Sequence, residues 1–255
     1  MQQYKSKFDN LLYKDTFSNV QRCLRLNDLD EIGDSTHYLV FHMLGLFSFR
    51  EWSVKQTVDF WLQFTQHIGT YPDYVTIHPD KPEWRHLYPS NMEIRFDEGC
   101  KWSDGNIGGY CTEFYKNDVE IGNIVNTLGT CIDVGFGCER LLSFTHGVIT
   151  PSKEDILLNS IESIIESGIE PGHHGHGYIL KKLLTELVFS RGVLNHPFYW
   201  KIVDNQLQQF ETYLKMVSRS KHYRQKDNDW WMRSFGIDLN NLERYEVLKS
   251  KHPNR

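Results

Sequence analysis

The chain has 255 residues, 40% of them hydrophobic and 14% aromatic, enough for one substantial core or a large domain with a smaller appendage. Its net charge of −5 argues against a broad nucleic-acid surface, and no apolar run approaches the ~20 residues of a membrane helix. The opening MQQYKSKFDN has no signal-peptide core, and the five cysteines at 23, 100, 111, 131 and 138 include no C-x-x-C pair, so they read as reduced thiols of a cytoplasmic protein and not as a disulfide framework or a zinc site.

In chain order, short β-rich runs occur near 19–25, 37–42, 73–78, 93–96, 111–115, 120–125 and 129–134, separated by Asp, Gly and Asn turn signals. They predict an antiparallel sheet. An amphipathic helix over 51–68 interrupts them, its stripe formed by Val54, Val58, Trp61, Leu62 and Phe64. Met43, Leu44 and Phe47 are expected in the core. The period turns helical after 150: Ser152 sits at an N-cap position before EDILLNSIESIIES, and Gly168 stops that helix. GYILKKLLTELVF predicts a second helix and 197–218 a third. These signals divide the chain into 1–150 and 151–255, with no internal repeat and no low-complexity segment.

Charge follows the same division. Residues 1–150 carry 13 Lys and Arg against 20 Asp and Glu, whereas 151–255 carry 15 against 13. Lys215, Arg219, Lys221, Arg224 and Lys226 form a basic cluster, which reads as a solvated helix end or as a dock for an acidic partner or a phosphate backbone. His173, His174 and His176 fall on a Gly-rich stretch and are expected to form a polar loop. Three histidines within four residues do not easily close a tetrahedral metal site.

The most telling segment is CIDVGFGCERLL, residues 131–142. A β-branched run ends at Asp133, passes Gly135 and Gly137, where backbone can approach a ligand closely, and enters a helix whose first turn carries Arg140. A carboxylate opposite an arginine suits a ligand with a cationic amine at one end and polyphosphate at the other. Alone, such a turn is often only a turn.

Around it, in order, stand QRCLRLNDLDEIG (21–33), FHMLGLFSF (41–49), YVTIHP (74–79), CTEFY (111–115), EIGNIVN (120–126) and GYILKKLL (177–184). The series resembles the catalytic domain of alanyl-tRNA synthetase, a class II aminoacyl-tRNA synthetase. MQQYKSKF looks like the end of the first class II signature and NDWWMRSFGIDL (228–239) like a late segment of the same enzymes. The resemblance implies an α+β fold: an antiparallel sheet flanked by helices, with an adenylate-forming domain over 1–150 and a compressed helical part over 151–255. It also implies that editing and C-terminal domains are lacking. Because the chain begins inside the segment that pairs class II subunits, a monomer is expected.

The implied reaction is attack of an amino-acid carboxylate on the α-phosphate of ATP with Mg²⁺, a chemistry of positioning and electrostatics. Arg25 matches the motif 2 arginine that bridges carboxylate and α-phosphate. Arg140 matches the motif 3 arginine at the γ-phosphate and adenine, and Tyr38 falls where an aromatic residue or histidine borders ATP. For the amino acid, Asp133 matches the aspartate that holds the ammonium and Asn123 a pocket asparagine. Trp102 matches a pocket tryptophan, while Val125 and Gly135 shape the side-chain pocket. The Mg²⁺ ligands are not named by the resemblance.

Departures from the family pattern concern the acceptor and the substrate. Arg25 runs directly into LNDLD without the Gly-Gly-Lys-His insertion, GHHGHG (172–177) replaces an asparagine-bearing segment, and the helix expected to be Arg-rich carries Thr185 and Glu186. Lost phosphate contacts weaken tRNA binding steeply. Gly122 stands where the family has Trp, Val134 where it has Thr and Phe136 where it has Met, swaps expected to enlarge one side of the pocket and fill another. The leading expectation is activation of a small amino acid, alanine first and glycine or serine next, with transfer to a carrier-protein phosphopantetheine thiol, a peptide or a small molecule. A minimal alanyl-tRNA synthetase and a non-catalytic nucleotide or amino-acid sensor are the alternatives.

Overall fold

A computed structural model describes residues 4–25, 32, 34, 36–147 and 151–253. The chain forms two compact units, Met1–Thr150 and Pro151–Arg255. The expected shortened loop after Arg25 lies largely outside the described residues.

The first unit is built on a sheet of eight strands among the described residues: β1 (Asp15–Leu24), β2 (Val40–Phe49), β3 (Tyr74–Ile77), β4 (Glu93–Phe96), β5 (Lys101–Asp104), β6 (Ile107–Lys116), β7 (Val119–Thr127) and β8 (Cys131–Gly137). Their order is β1-β2-β8-β7-β6-β3-β4, with β5 also on β6. The pairings are antiparallel except β3 with β4, which run parallel. The fold is therefore α+β with a mostly antiparallel sheet, as the resemblance implies. Three details differ from the sequence reading. The run expected at 37–42 becomes a strand only at Val40 and continues to Phe49, the four-residue β5 carried no separate signal, and one pairing is parallel.

Strand periodicity gives the sheet two distinct faces. One face packs on helix α2 (Val54–His67), which follows a short α1 (Lys5–Asp9) in the chain. Ser53 starts α2 with a capping box: its Oγ accepts from the Gln56 N–H at 3.2 Å, and the Gln56 Oε1 accepts from the Ser53 N–H at 3.0 Å. Val58, Trp61 and Leu62 of α2 meet Leu46, Phe114, Ile124, Val134 and Phe136 in the main core. Trp61 stacks on Phe136 with ring centroids 4.3 Å apart and planes 4° apart.

This packing corrects the expectation for Val134 and Phe136. Both are buried in the core beneath the sheet and do not fill a substrate pocket. It also explains Gly122: a Cβ there would lie 2.3 Å from the Phe136 ring, which occupies the space a larger residue would need. Gly122→Ala is expected to lower stability by about 1–3 kcal/mol through overpacking, visible as a fall in Tm. Adding Phe136→Leu should return part of the loss, because the two positions share one space.

The second unit is helical: α4 (Lys153–Glu166), α5 (Gly175–Phe189), α6 (Pro197–Arg219), α7 (Lys221–Arg224), α8 (Asn228–Phe235) and α9 (Leu242–Lys251) follow the first unit's α3 (Cys138–His146). Ser152 caps α4 with Asp155 completing a capping box, and Gly168 takes φ +76° after the helix ends. Apolar stripes at helical spacing bury Leu157, Ile161, Leu183, Leu187, Val203 and Phe210. The stretch expected as a histidine loop is only partly loop. His174 is the N-cap of α5, and His176 lies in that helix's first turn. No helix among the described residues is long and apolar enough to cross a membrane.

Candidate active site

The other face of the sheet carries the expected chemistry in two rows. Pairing register puts Asn19, Gly45, Gly135, Asn123 and Glu113 side by side across β1, β2, β8, β7 and β6. One step along, Phe17, Phe47, Asp133, Val125 and Cys111 form the neighbouring row. The glycines flatten the first row. A Cβ at Gly45 would lie 2.5 Å from Asn19 Oδ1, and one at Gly135 would lie 2.9 Å from Met43 Sδ.

Above that flat floor opens a small cleft of about 90 Å³. Its wall includes Arg25, Thr36, Tyr38, Met43, Glu120, Asn123, Gly135, Gly137, Glu139 and Arg140. Of the residues singled out from sequence, Arg25, Tyr38, Asn123, Gly135 and Arg140 thus share one cavity. Asp133 and Val125 lie on the same sheet face one row away, and Trp102, on β5, packs against Val125, Cys100 and Cys111 rather than lining the cleft. Met43, expected in the core, lines the cleft, whereas Phe47 is buried and Leu44 packs against the core.

Hydrogen bonds hold Arg140 and Glu139 in place. Arg140 donates from Nε to the Thr36 carbonyl at 3.1 Å and from Nη1 to the Glu120 carbonyl at 2.8 Å, which fixes the guanidinium plane. Its neighbour Glu139 accepts from the His42 N–H at 3.0 and 2.9 Å and lies 2.9 Å from His42 Nδ1, tying the start of α3 to β2. Helix α3 begins after Gly137, and no side chain caps its first N–H groups. Asn123 Nδ2 donates to Glu120 Oε1 at 3.5 Å.

Burial shifts two titrations here. Asp133, between the buried Phe47 and Val125, is pushed up to about 6 because desolvation penalises its carboxylate. Burial, reinforced by Glu139, raises Tyr38 and keeps its phenol neutral. At the rim, partial burial works against Asp34, yet hydrogen bonds from Thr36 and His37 hold its carboxyl down at about 2.

Residues 1–107 match the family model described as tRNA synthetases class II (A). The chain is 25% identical over 243 residues to an alanine–tRNA ligase of Desulfitobacterium hafniense (strain Y51), a span covering 66% of this chain and 28% of that one. It is also 25% identical over 285 residues to an alanine–tRNA ligase of Staphylococcus aureus (strain JH9), covering 80% of this chain and 32% of the relative. The first unit resembles a class II tRNA synthetase domain, and the chain resembles alanine–tRNA ligases.

The synthetase-like chain spans about a third of the length of these curated relatives. Within its cleft, Glu120, Glu139 and the Glu139–His42 contact were not singled out from sequence. Glu120 precedes Asn123 by three positions, a spacing that alternation alone assigns to opposite faces. The irregular register between Phe114 and Tyr115, opposite Glu120 and Gly122, resets that alternation and brings Glu120 to the cleft.

Proposed function

We propose that the synthetase-like unit condenses a small amino acid, alanine first, with ATP into an aminoacyl-adenylate and pyrophosphate. The observation that carries this reading is the convergence of Arg25, Arg140 and Asn123 on one glycine-floored cleft, with the Asp133 carboxylate one row below. In the proposed step, a carboxylate oxygen forms a bond to the α-phosphorus as the bond to the β-phosphate bridging oxygen breaks. Both partners are anions, so the protein must neutralise charge and fix geometry.

Arg25 is assigned to bridge the substrate carboxylate and the α-phosphate, a bidentate task that a guanidinium performs better than an ammonium. Arg140, already oriented by two backbone carbonyls, meets the triphosphate end without reorganising. Asp133 holds the ammonium and Asn123 offers its amide to the amino acid, while Tyr38 borders the nucleotide. Trp102 and Val125, packed together outside the cleft wall and beside Asp133 through Val125, are assigned to the side-chain end. Mg²⁺ would supply charge neutralisation at the triphosphate. The oxygen donors of suitable chemistry in the cleft wall are the Glu120 and Glu139 carboxylates.

For the second half-reaction the proposed acceptor is not tRNA but a carrier-protein thiol, a peptide or a small amine. Glu186 supports this, since on α5, where phosphate contacts would demand positive charge, it takes up Lys153 at 3.4 Å and Arg244 at 3.3 Å. The basic segment from Lys215 to Lys226 suits an acidic carrier protein. A specific observation favours a second reading, tRNA charging: both relatives named above are alanine–tRNA ligases. Incubating the protein with ATP and labelled alanine, then offering tRNA, holo carrier protein and small thiols in parallel, separates the two. Label on a thiol or amine with none on tRNA is the expected result. Efficient, salt-sensitive charging of tRNA would replace the first reading with the second.

A further inference from the structure

Beside the cleft, one cluster of side chains has ligand chemistry of its own. A tight turn at Gly105–Asn106 joins β5 to β6, pairing Asp104 with Ile107. Following that hairpin away from the turn brings Cys100 opposite Cys111, whose N–H donates to the Cys100 carbonyl at 2.9 Å. Glu113 lies two residues further along β6, on the same face as Cys111. No C-x-x-C spacing announces this meeting, because strand register creates it. Cys100 Sγ, Cys111 Sγ and a Glu113 carboxylate oxygen all lie within 4.8 Å of one another.

The surroundings are those of a ligand set. Cys100 is 0% and Cys111 3% exposed, with Val125 and Trp102 packed over them. Glu113 Oε2 accepts from the Tyr115 hydroxyl at 2.9 Å and the Thr76 hydroxyl at 3.3 Å, while Oε1 lies 3.9 Å from Cys111 Sγ. One carboxylate oxygen is therefore held by hydroxyls and the other lies toward the Cys111 thiol, while the Cys100 thiol donates to the Thr76 hydroxyl at 3.0 Å, so outer hydroxyls orient this set as they orient metal-binding groups. No Lys, Arg or His pairs with Glu113 among the described residues, so a cation beside it would meet an unopposed negative charge. A tetrahedral zinc-class ion, with metal–sulfur bonds of ~2.3 Å and metal–oxygen bonds of ~2.0–2.2 Å, sets its ligand atoms roughly 3.4–3.8 Å apart. A small inward movement of the three side chains closes the site.

We propose that Cys100, Cys111 and Glu113 bind a thiophilic divalent cation of the zinc class, leaving its fourth position to water or a substrate group. Softness of the two thiolates selects zinc over magnesium or calcium. The ion would brace Trp102 and Val125, and Glu113 is the register partner of Asn123, so it stands next to the cleft wall. This inference stands on the cluster alone and does not depend on the adenylate reading.

The test is metal analysis of the full chain, produced untagged from zinc-supplemented culture and purified without chelator. One zinc per chain is expected. Cys100→Ser, Cys111→Ser and Glu113→Gln should each lower affinity at least tenfold, whereas a variant with His173, His174 and His176 all changed to Ala should keep its zinc. Cobalt added to the chelator-stripped protein should give the intense near-ultraviolet band of thiolate coordination. If the cysteine variants fail to fold, competition between wild-type apoprotein and a chromophoric zinc chelator decides the matter. Wild-type protein that neither carries zinc nor competes with the chelator would overturn the proposal. So would zinc retained by both folded cysteine variants, or a native mass short of two hydrogens with both thiols blocked to alkylation.

Discussion

Replacing Asp133 by Asn is expected to stop amino-acid-dependent ATP–pyrophosphate exchange while making the free protein more stable at neutral pH. The two effects share one cause. Asp133 sits between Phe47 and Val125, and desolvation lifts its folded pKa to about 6. Its unfolded value is about 3.9, so the difference of roughly two units corresponds to about 3 kcal/mol. For a carboxyl raised on folding, the contribution to stability is fully present below about pH 4 and is lost as pH rises through 6. At neutral pH the carboxylate is thus a burden on the free fold that an amide does not carry. Asp133→Asn should raise Tm by several degrees above pH 7, and the gain over wild type should vanish near pH 4. Exchange should fall at least about 100-fold, the loss of a charge-assisted contact worth roughly 3 kcal/mol. In the wild type, the KM for the amino acid should climb as pH drops below 6, because a protonated Asp133 no longer attracts an ammonium. A variant with normal exchange would remove Asp133 from the amino-acid site.

Arg25→Ala is expected to lower exchange by about 10²–10³-fold, the usual loss when a preorganised donor to developing charge is removed. Arg25 is exposed at the end of β1, with its main-chain N–H bonded to the Leu39 carbonyl at 2.8 Å. The Tm of the variant, measured beside exchange, separates lost chemistry from lost stability. Arg25→Lys keeps the charge but not the planar fork and should recover less than a tenth of the lost rate. The Arg140 side chain ties Thr36 to Glu120, so its removal also loosens the cleft wall. An Arg25→Lys enzyme at wild-type rate would show that charge alone suffices and that bidentate bridging is not used.

Local pattern made the sheet and the residues that share its cleft legible wherever chemistry and periodicity coincide in a few residues. Asp133, Gly135 and Arg140 share one strand-to-helix turn, and Asn123 stands opposite Gly135, so four expected site residues follow from two short segments. The α2 stripe was equally plain, since Val58, Trp61 and Leu62 recur at helical spacing. What escaped depends on distant partners. Phe136 read as a pocket substitution, yet it lies in the core, and Gly122, which does line the cleft, also leaves room for the Phe136 ring, a pairing visible only once β7 and β8 are paired. Met43 looked like any apolar strand residue, and only the register opposite Gly137 turns it toward the cleft. Cys100 and Cys111 looked scattered because a hairpin, not a motif, unites them. The stretch at 172–177 looked like loop because glycine and histidine are poor helix formers, although α5 takes up Gly175, His176 and Gly177.

Amino-acid-dependent exchange of labelled pyrophosphate into ATP, run with each of the twenty amino acids, tests most directly whether this cleft joins an amino acid to a nucleotide. Exchange stimulated by alanine or another small amino acid, and lost in both Asp133→Asn and Arg25→Ala, is the expected result. No stimulation by any of the twenty, from protein shown to be folded and supplied with Mg²⁺, would contradict it.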